Sequence, residues 1–233
     1  MSGFLVERCL VPEILDTMPP DAPEARASRR DLRRINSLMA HPRMLSALVK
    51  RHATRPPRRI VELGCGDARA TLAVLRRLAP IPDETEITLV DAQPLVSPQV
   101  LSNIRDLGVK VDIVTSDVFD WLEEATPHDL TIANLFLHHF DAAGLPRLFQ
   151  GLARLSRLLV ATEPRRSKFA LLAARSVRAI GANAVTRHDA AVSVRAGFRD
   201  AELTPYWPGQ VHLDTSRGPL THVFAAAGRG LDD

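Results

Sequence analysis

Arg58-Arg59-Ile60-Val61-Glu62-Leu63-Gly64-Cys65-Gly66-Asp67-Ala68-Arg69 decides the fold, because it reads as a buried strand that runs into a glycine turn and then opens a helix. Ile60, Val61 and Leu63 form the short apolar run that a parallel strand buries on both faces, and Pro56-Pro57 stops the segment before it. Gly64 and Gly66 carry no Cβ, so the backbone there can turn tightly and lie close to a ligand. Beyond the turn, Leu72, Leu75 and Ala79, with Val74 and Leu78 beside them, keep helical spacing through residues 68–78, and Pro80 ends the run.

The same strand-turn-helix unit repeats downstream. Residues 86–91 make a second strand ending in Asp91, further past Gly64 than the roughly 20 residues typical of a ribose-binding acid, because Pro80-Ile81-Pro82-Asp83-Glu84 lengthens the loop. A carboxylate at that strand end can accept protons from both ribose hydroxyls, which suits any adenosine cofactor. Residues 109–114 alternate as a third strand leading to Asp117 and Val118, and residues 128–135 form a fourth, followed by Phe136-Leu137-His138-His139-Phe140. A fifth strand, 158–162, runs into Glu163-Pro164-Arg165-Arg166. Residues 199–203 and 220–227 read as two closing strands around the Tyr206-Trp207-Pro208-Gly209 loop. The expected fold is α/β: a Rossmann-like, mostly parallel seven-stranded sheet with helices on both faces.

The turn invites the dinucleotide fingerprint G-x-G-x-x-G, but Arg69 stands where its third glycine would be. Val61-Glu62-Leu63-Gly64-Cys65-Gly66-Asp67 instead resembles the first motif of the class I S-adenosylmethionine-dependent methyltransferases, an apolar strand, an acid and a G-x-G-x-G loop, with Ala68 in place of the third glycine. The resemblance covers roughly residues 58–163. It implies S-adenosylmethionine as cofactor and S-adenosylhomocysteine as product, with Glu62, Gly64, Cys65 and Gly66 around the amino-acid end. It further implies Asp91 and Ala92 at the ribose, Asp117 and Val118 at the adenine, and Asn134 toward the reaction zone. Asn134-Leu135-Phe136-Leu137-His138-His139-Phe140, Glu163-Pro164-Arg165-Arg166-Ser167 and Thr186-Arg187-His188-Asp189-Ala190 also look like a bacterial subgroup that accompanies polyketide and phenolic-lipid biosynthesis. That likeness implies O-methylation of a phenol or similar secondary metabolite. An NAD(P)-dependent oxidoreductase and an RNA methyltransferase remain the alternatives.

Candidate bases follow from position. His138 and His139 lie just past the fourth strand, at the carboxyl edge where open sheets bind ligands, and they read equally as catalytic or structural. Neighbouring side chains diverge, so one of the pair is expected to face the substrate. His188, beside Asp189 at a helix start, is the second choice. A neutral histidine can take the proton of a phenol at ordinary pH.

Residues 1–57 read as a helical cap, or lid, on a methyltransferase domain of residues 58–233. Met18-Pro19-Pro20-Asp21-Ala22-Pro23 is a linker; Leu32, Ile35 and Met39 share one face of a helix that starts at Ser28, and a second helix starts at Pro42. Leu32, Leu38, Met39 and Phe136 are available to line a small-molecule pocket.

Composition sets the remaining bounds. Of 233 residues 45% are hydrophobic and 24% charged, which is enough for a sizeable core. Thirty basic against 27 acidic residues gives only +3, too little for the basic stripe of a nucleic-acid partner. Cys9 and Cys65 have no metal-ligand spacing, so no metal is expected. No run reaches a membrane span, and the N-terminus, acidic at Glu7, is unlike a signal peptide, so a cytoplasmic protein is expected, with a homodimer left open.

Overall fold

The computed structural model describes residues 7–229; residues 1–6, at the head of the expected cap, lie outside them. Strands β1 (Arg59–Leu63), β2 (Glu86–Asp91), β3 (Lys110–Thr115), β4 (His128–Asn134), β5 (Ser156–Pro164), β6 (Val211–Arg217) and β7 (Thr221–Ala227) form one sheet ordered β3-β2-β1-β4-β5-β7-β6. β1 to β5 run parallel, and β7 and β6 close the edge as an antiparallel hairpin. From β1 the winding goes one way to β2 and β3 and the other way to β4 and β5. A crevice therefore opens over the carboxyl ends of β1 and β4, the switch point where such sheets take ligands.

The nine helices among the described residues are α1 (Ile14–Thr17), α2 (Pro23–Met39), α3 (His41–His52), α4 (Arg69–Leu78), α5 (Pro98–Arg105), α6 (Val118–Glu124), α7 (Gly144–Leu155), α8 (Lys168–Ser176) and α9 (Ala184–Ala196). Because strand side chains alternate, Ile60, Leu89, Ile132 and Val160 bury against Leu45, Leu48, Leu72 and Leu75 of α3 and α4. Val61, Leu63, Ala133 and Leu159 bury on the other face against Leu148, Phe149 and Leu152 of α7. Each fully buried side chain of this size stabilises the fold by about 1.5–3 kcal/mol. α3 thus belongs to the core, whereas α1, α2 and α8 pack on α9, which itself touches β5 and the 3₁₀ turn Leu137–His139 that follows β4.

Three expectations need correction. The penultimate strand is Val211–Arg217 rather than 199–203. Backbone amides in the earlier segment are taken by side chains: Arg199 N–H donates to Glu202 at 3.1 Å, and the Leu203 and Thr204 N–H groups donate to Asp214 Oδ2 at 2.9 and 2.7 Å. An edge strand cannot use donors already engaged. Next, α2 starts at Pro23 rather than Ser28, since proline serves at a first turn, where its missing N–H has no intrahelical partner to lose. Finally, Leu38 is 82% exposed and is not among the residues that line the cleft described below.

Candidate active site

The β1–α4 turn has three residues in the left-handed region: Gly64 at φ 64°, Gly66 at φ 52° and Ala68 at φ 54°. Ala68 occupies the place of the missing third glycine and keeps the glycine conformation, at a cost of about 1 kcal/mol. Its methyl is fully buried in the core, which offsets much of that strain. A Cβ on Gly64 would lie 2.3 Å from Cδ2 of Phe136, so the turn packs directly on the segment after β4. Above Gly66 nothing lies within 4 Å of the same construction, which leaves backbone exposed to a ligand.

Three carboxylates surround this cradle. Glu62 in β1 is 1% exposed, and its Oε2 is buried without a hydrogen-bond partner. Burial first, then the nearby Asp91 and Asp67, push its carboxyl well above the usual range. A buried orphan of this kind asks for a cationic donor, such as an ammonium group. Asp91, ending β2, accepts from Gly66 N–H through Oδ2 and from Gln93 N–H through Oδ1, both at 2.8 Å, and each oxygen keeps a second lone pair for a hydroxyl. Ala92 lies between those anchored positions. Asp117 caps α6, accepting from Phe119 N–H at 2.7 Å, and is exposed, with Val118 buried beside it. The residues present therefore fit a cofactor with an ammonium group, a ribose and a flat base. Cys65 is buried, and its thiol is pushed far upward by burial first and by Glu62 and Asp91, so it packs and does not react.

Asn134, ending β4, is held from below. Its Oδ1 accepts from Thr162 Oγ1 at 2.8 Å and from His41 Nδ1 at 2.9 Å, while His41 Nε2 accepts from Thr221 Oγ1 at 3.1 Å. This assigns His41 its tautomer, and burial keeps its pKa low and the ring neutral.

The two histidines after β4 diverge. Leu135, at φ 57°, turns the chain into the 3₁₀ turn, whose Phe136, Leu137 and His138 N–H groups all donate to the buried Glu163 carboxylate at 3.0, 2.8 and 3.3 Å. His138, 3% exposed, donates Nδ1–H to Glu163 at 2.7 Å and Nε2–H to Glu13 at 3.4 Å. Burial lowers its pKa, but Glu13 and Glu163 outweigh that and hold it up at about 9. His138 is thus an imidazolium between two carboxylates, with no nitrogen free to take a proton. His139 turns outward, with Nδ1 3.4 Å from Asp16 Oδ2. Burial and the charged His138 ring, 4.3 Å away, drive its pKa down to about 4, so it is neutral. Asp16 moves the other way, to about 6, through burial and the carboxylates Glu13 and Asp189. His188 lies exposed on α9, with Nδ1 2.9 Å from Asp189. Glu13, His138 and His139 bring ligand atoms within 4.8 Å of one another, but both His138 ring nitrogens are already engaged as donors to Glu163 and Glu13.

Sequence reading missed Glu13, Asp16 and Arg8, all from a proline-punctuated stretch with no periodicity to place them. Arg8 donates Nε–H to Ala196 O at 2.7 Å and Nη2–H to Phe140 O at 2.9 Å. Asp189 accepts the Ile14 and Leu15 N–H groups at 2.9 and 3.0 Å, and Arg29 donates to Gln93 Oε1 at 2.8 Å beside Asp91. The N-terminal strap so anchored bounds a cleft of about 550 Å³ lined by Val11, Glu13, Asp16, Phe119, His139 and Phe140. The cleft reaches from His139 to Phe119, next to Val118.

Comparison with known proteins agrees with this fold. Residues 60–157 match the family model for a methyltransferase domain. No curated protein matches the chain. Among solved structures, the plantazolicin methyltransferase BpumL in complex with SAH superposes with a TM-score of 0.62 at 12% identity, over 90% of this chain and 92% of that one. An O-methyltransferase family protein from Burkholderia thailandensis gives 0.59 at 18% identity, over 92% and 66%. The N,N-8-amino-8-demethyl-D-riboflavin dimethyltransferase RosA from Streptomyces davawensis gives 0.58 at 15%, over 93% and 62%. At these identities the likeness is one of fold.

Proposed function

We propose that this chain, whose residues 60–157 match the family model for a methyltransferase domain, uses S-adenosylmethionine to methylate the phenolic hydroxyl of a small, partly apolar molecule. The observation that carries the reading is the cradle of Glu62, Gly66 and Asp91: a buried unpartnered carboxylate, an uncovered left-handed glycine and a ribose-type acid on adjacent strand ends. Glu62 takes the ammonium group, Asp91 with Ala92 the ribose, and Asp117 with Val118 the adenine. Phe119, Phe140 and Val11 supply apolar wall for the acceptor.

The bound cofactor supplies an activated methyl group and a good leaving group. The protein's part is alignment and removal of the acceptor proton. A phenol with a pKa near 10 keeps its proton at neutral pH. His139 is neutral, faces the cleft and is oriented by Asp16, whose carboxyl near 6 can share the proton that the ring receives. His138 does not compete for this role; its charge keeps His139 unprotonated. The strap with α1 and α2 serves as the cover, whereas α3, expected within the same cap of residues 1–57, belongs to the core of the sheet.

Calorimetry with S-adenosylmethionine, S-adenosylhomocysteine and NAD separates this reading from an oxidoreductase, and labelled methyl transfer to a panel of phenols, amines and carboxylates tests the acceptor. Binding of NAD alone would reject the cofactor. Label found only on nitrogen or carboxylate acceptors would reject the phenol.

A further inference from the structure

Residues 164–188 carry Arg165, Arg166, Lys168, Arg175, Arg178 and Arg187 and no acid, in a chain whose bases and acids otherwise nearly balance at 30 to 27. This segment folds as α8, the 3₁₀ turn Val177–Ile180 and the start of α9. α8 buries its small residues, Ala170 and Ala174, against Val194 of α9. Its large apolar side chains are left outside: Phe169 is 58% exposed, Leu172 64%, and Ile180 in the following turn 57%. A helix normally does the reverse. Lys168, Arg175 and Arg178 are exposed alongside, and none pairs with a carboxylate among the described residues.

Large apolar side chains flanked by cations, with no acid, suit the headgroup layer of an anionic bilayer. A second copy of the chain suits it poorly. Two-fold association sets a patch against itself, which would bring these cations against their own copies with no acid to neutralise them.

We propose that the outer face of α8 docks the folded protein on an anionic membrane surface, with Phe169, Leu172 and Ile180 inserted and Lys168, Arg175 and Arg178 on the headgroups. α9 lies behind α8 and lines the cleft through Val192 and Ala196, so a docked protein holds the cleft one helix layer from the lipid. The docking face shares no residue with the proposed cofactor site, and its test does not depend on methyl transfer.

The test is co-sedimentation of the full chain with vesicles of phosphatidylcholine alone or mixed with phosphatidylglycerol. Binding is expected only to the mixed vesicles, and added salt should weaken it. The double variant Phe169→Ser/Leu172→Ser and the triple variant Lys168→Gln/Arg175→Gln/Arg178→Gln should each lower partitioning by about tenfold or more, with thermal melting unchanged. Three results would overturn the proposal: no partitioning onto the mixed vesicles, partitioning that survives both variants, or a dimer of the parent chain that the Phe169→Ser/Leu172→Ser variant dissolves.

Discussion

Glu62→Gln keeps the shape of the buried side chain and removes its charge, so it isolates the carboxylate's contribution to cofactor binding. A charge-assisted hydrogen bond is worth about 1.5–3 kcal/mol, which predicts cofactor affinity weaker by roughly ten- to a hundredfold. The protonation state adds a second, independent signature. In the free protein burial, with Asp91 and Asp67, holds the carboxyl well above its ordinary range, so it keeps its proton to higher pH than an ordinary carboxyl does. An arriving ammonium favours the ionised form, and binding must release that proton. Affinity should therefore rise with pH, by up to tenfold per unit, until the free carboxyl is fully ionised. Titration calorimetry in two buffers of different ionisation enthalpy reads the released proton directly as a difference in apparent heat. Glu62→Gln should bind more weakly and give the same heat in both buffers. If the variant binds as tightly as the parent and the buffer dependence persists, the ammonium lies elsewhere and the cradle has been misread.

Gly64→Ala combines left-handed strain with a 2.3 Å approach to Phe136 and should cost about 2–4 kcal/mol, seen as a clear fall in melting temperature. Gly66→Ala has only the strain, about 1 kcal/mol, and should show its main effect as lost cofactor affinity; equal melting losses would refute the distinction. His138, raised from its ordinary 6.5 to about 9, contributes stability that is complete below pH 6.5 and fades as pH rises through 9, about 3 kcal/mol in all. Melting curves across that window should show the fall, and His138→Gln should flatten it while costing about 3–5 kcal/mol by stranding Glu163. Replacing His139 by alanine should lower kcat by about 10²–10⁴ with cofactor affinity retained, whereas His188→Ala should leave kcat near normal; the opposite pattern would move the base to α9.

The parallel half of the fold was legible because its signals are local. Ile60 to Gly66 states strand, turn and helix within a few residues, and each later strand repeats an apolar run that ends in a polar residue. Val211–Arg217 was not legible, since its half-buried alternation is weak and the competing segment owes its shape to Glu202 and Asp214 acting on its backbone amides. The candidate site divides the same way. Glu62, Asp91 and Asn134 are read from strand ends, but nothing near Glu13 or Asp16 announces that they flank His138 and His139. Those contacts span well over a hundred residues, and through them Glu13 joins the nearer Glu163 in raising His138, whose charge adds to burial in lowering His139.

Arg8 donates to the carbonyl of Ala196, a partner 188 residues away, and Asp189 holds the amides of Ile14 and Leu15. During synthesis at roughly 5–20 residues per second, the strap is therefore made some ten to forty seconds before its mooring exists. The sheet strands β1 to β5 can pair in that interval, but the wall of the cleft cannot close. Made long before its mooring, the strap is among the last segments to find its place, and a ribosome that stalls within α9 leaves β1 to β5 without β6, β7 or a closed cleft.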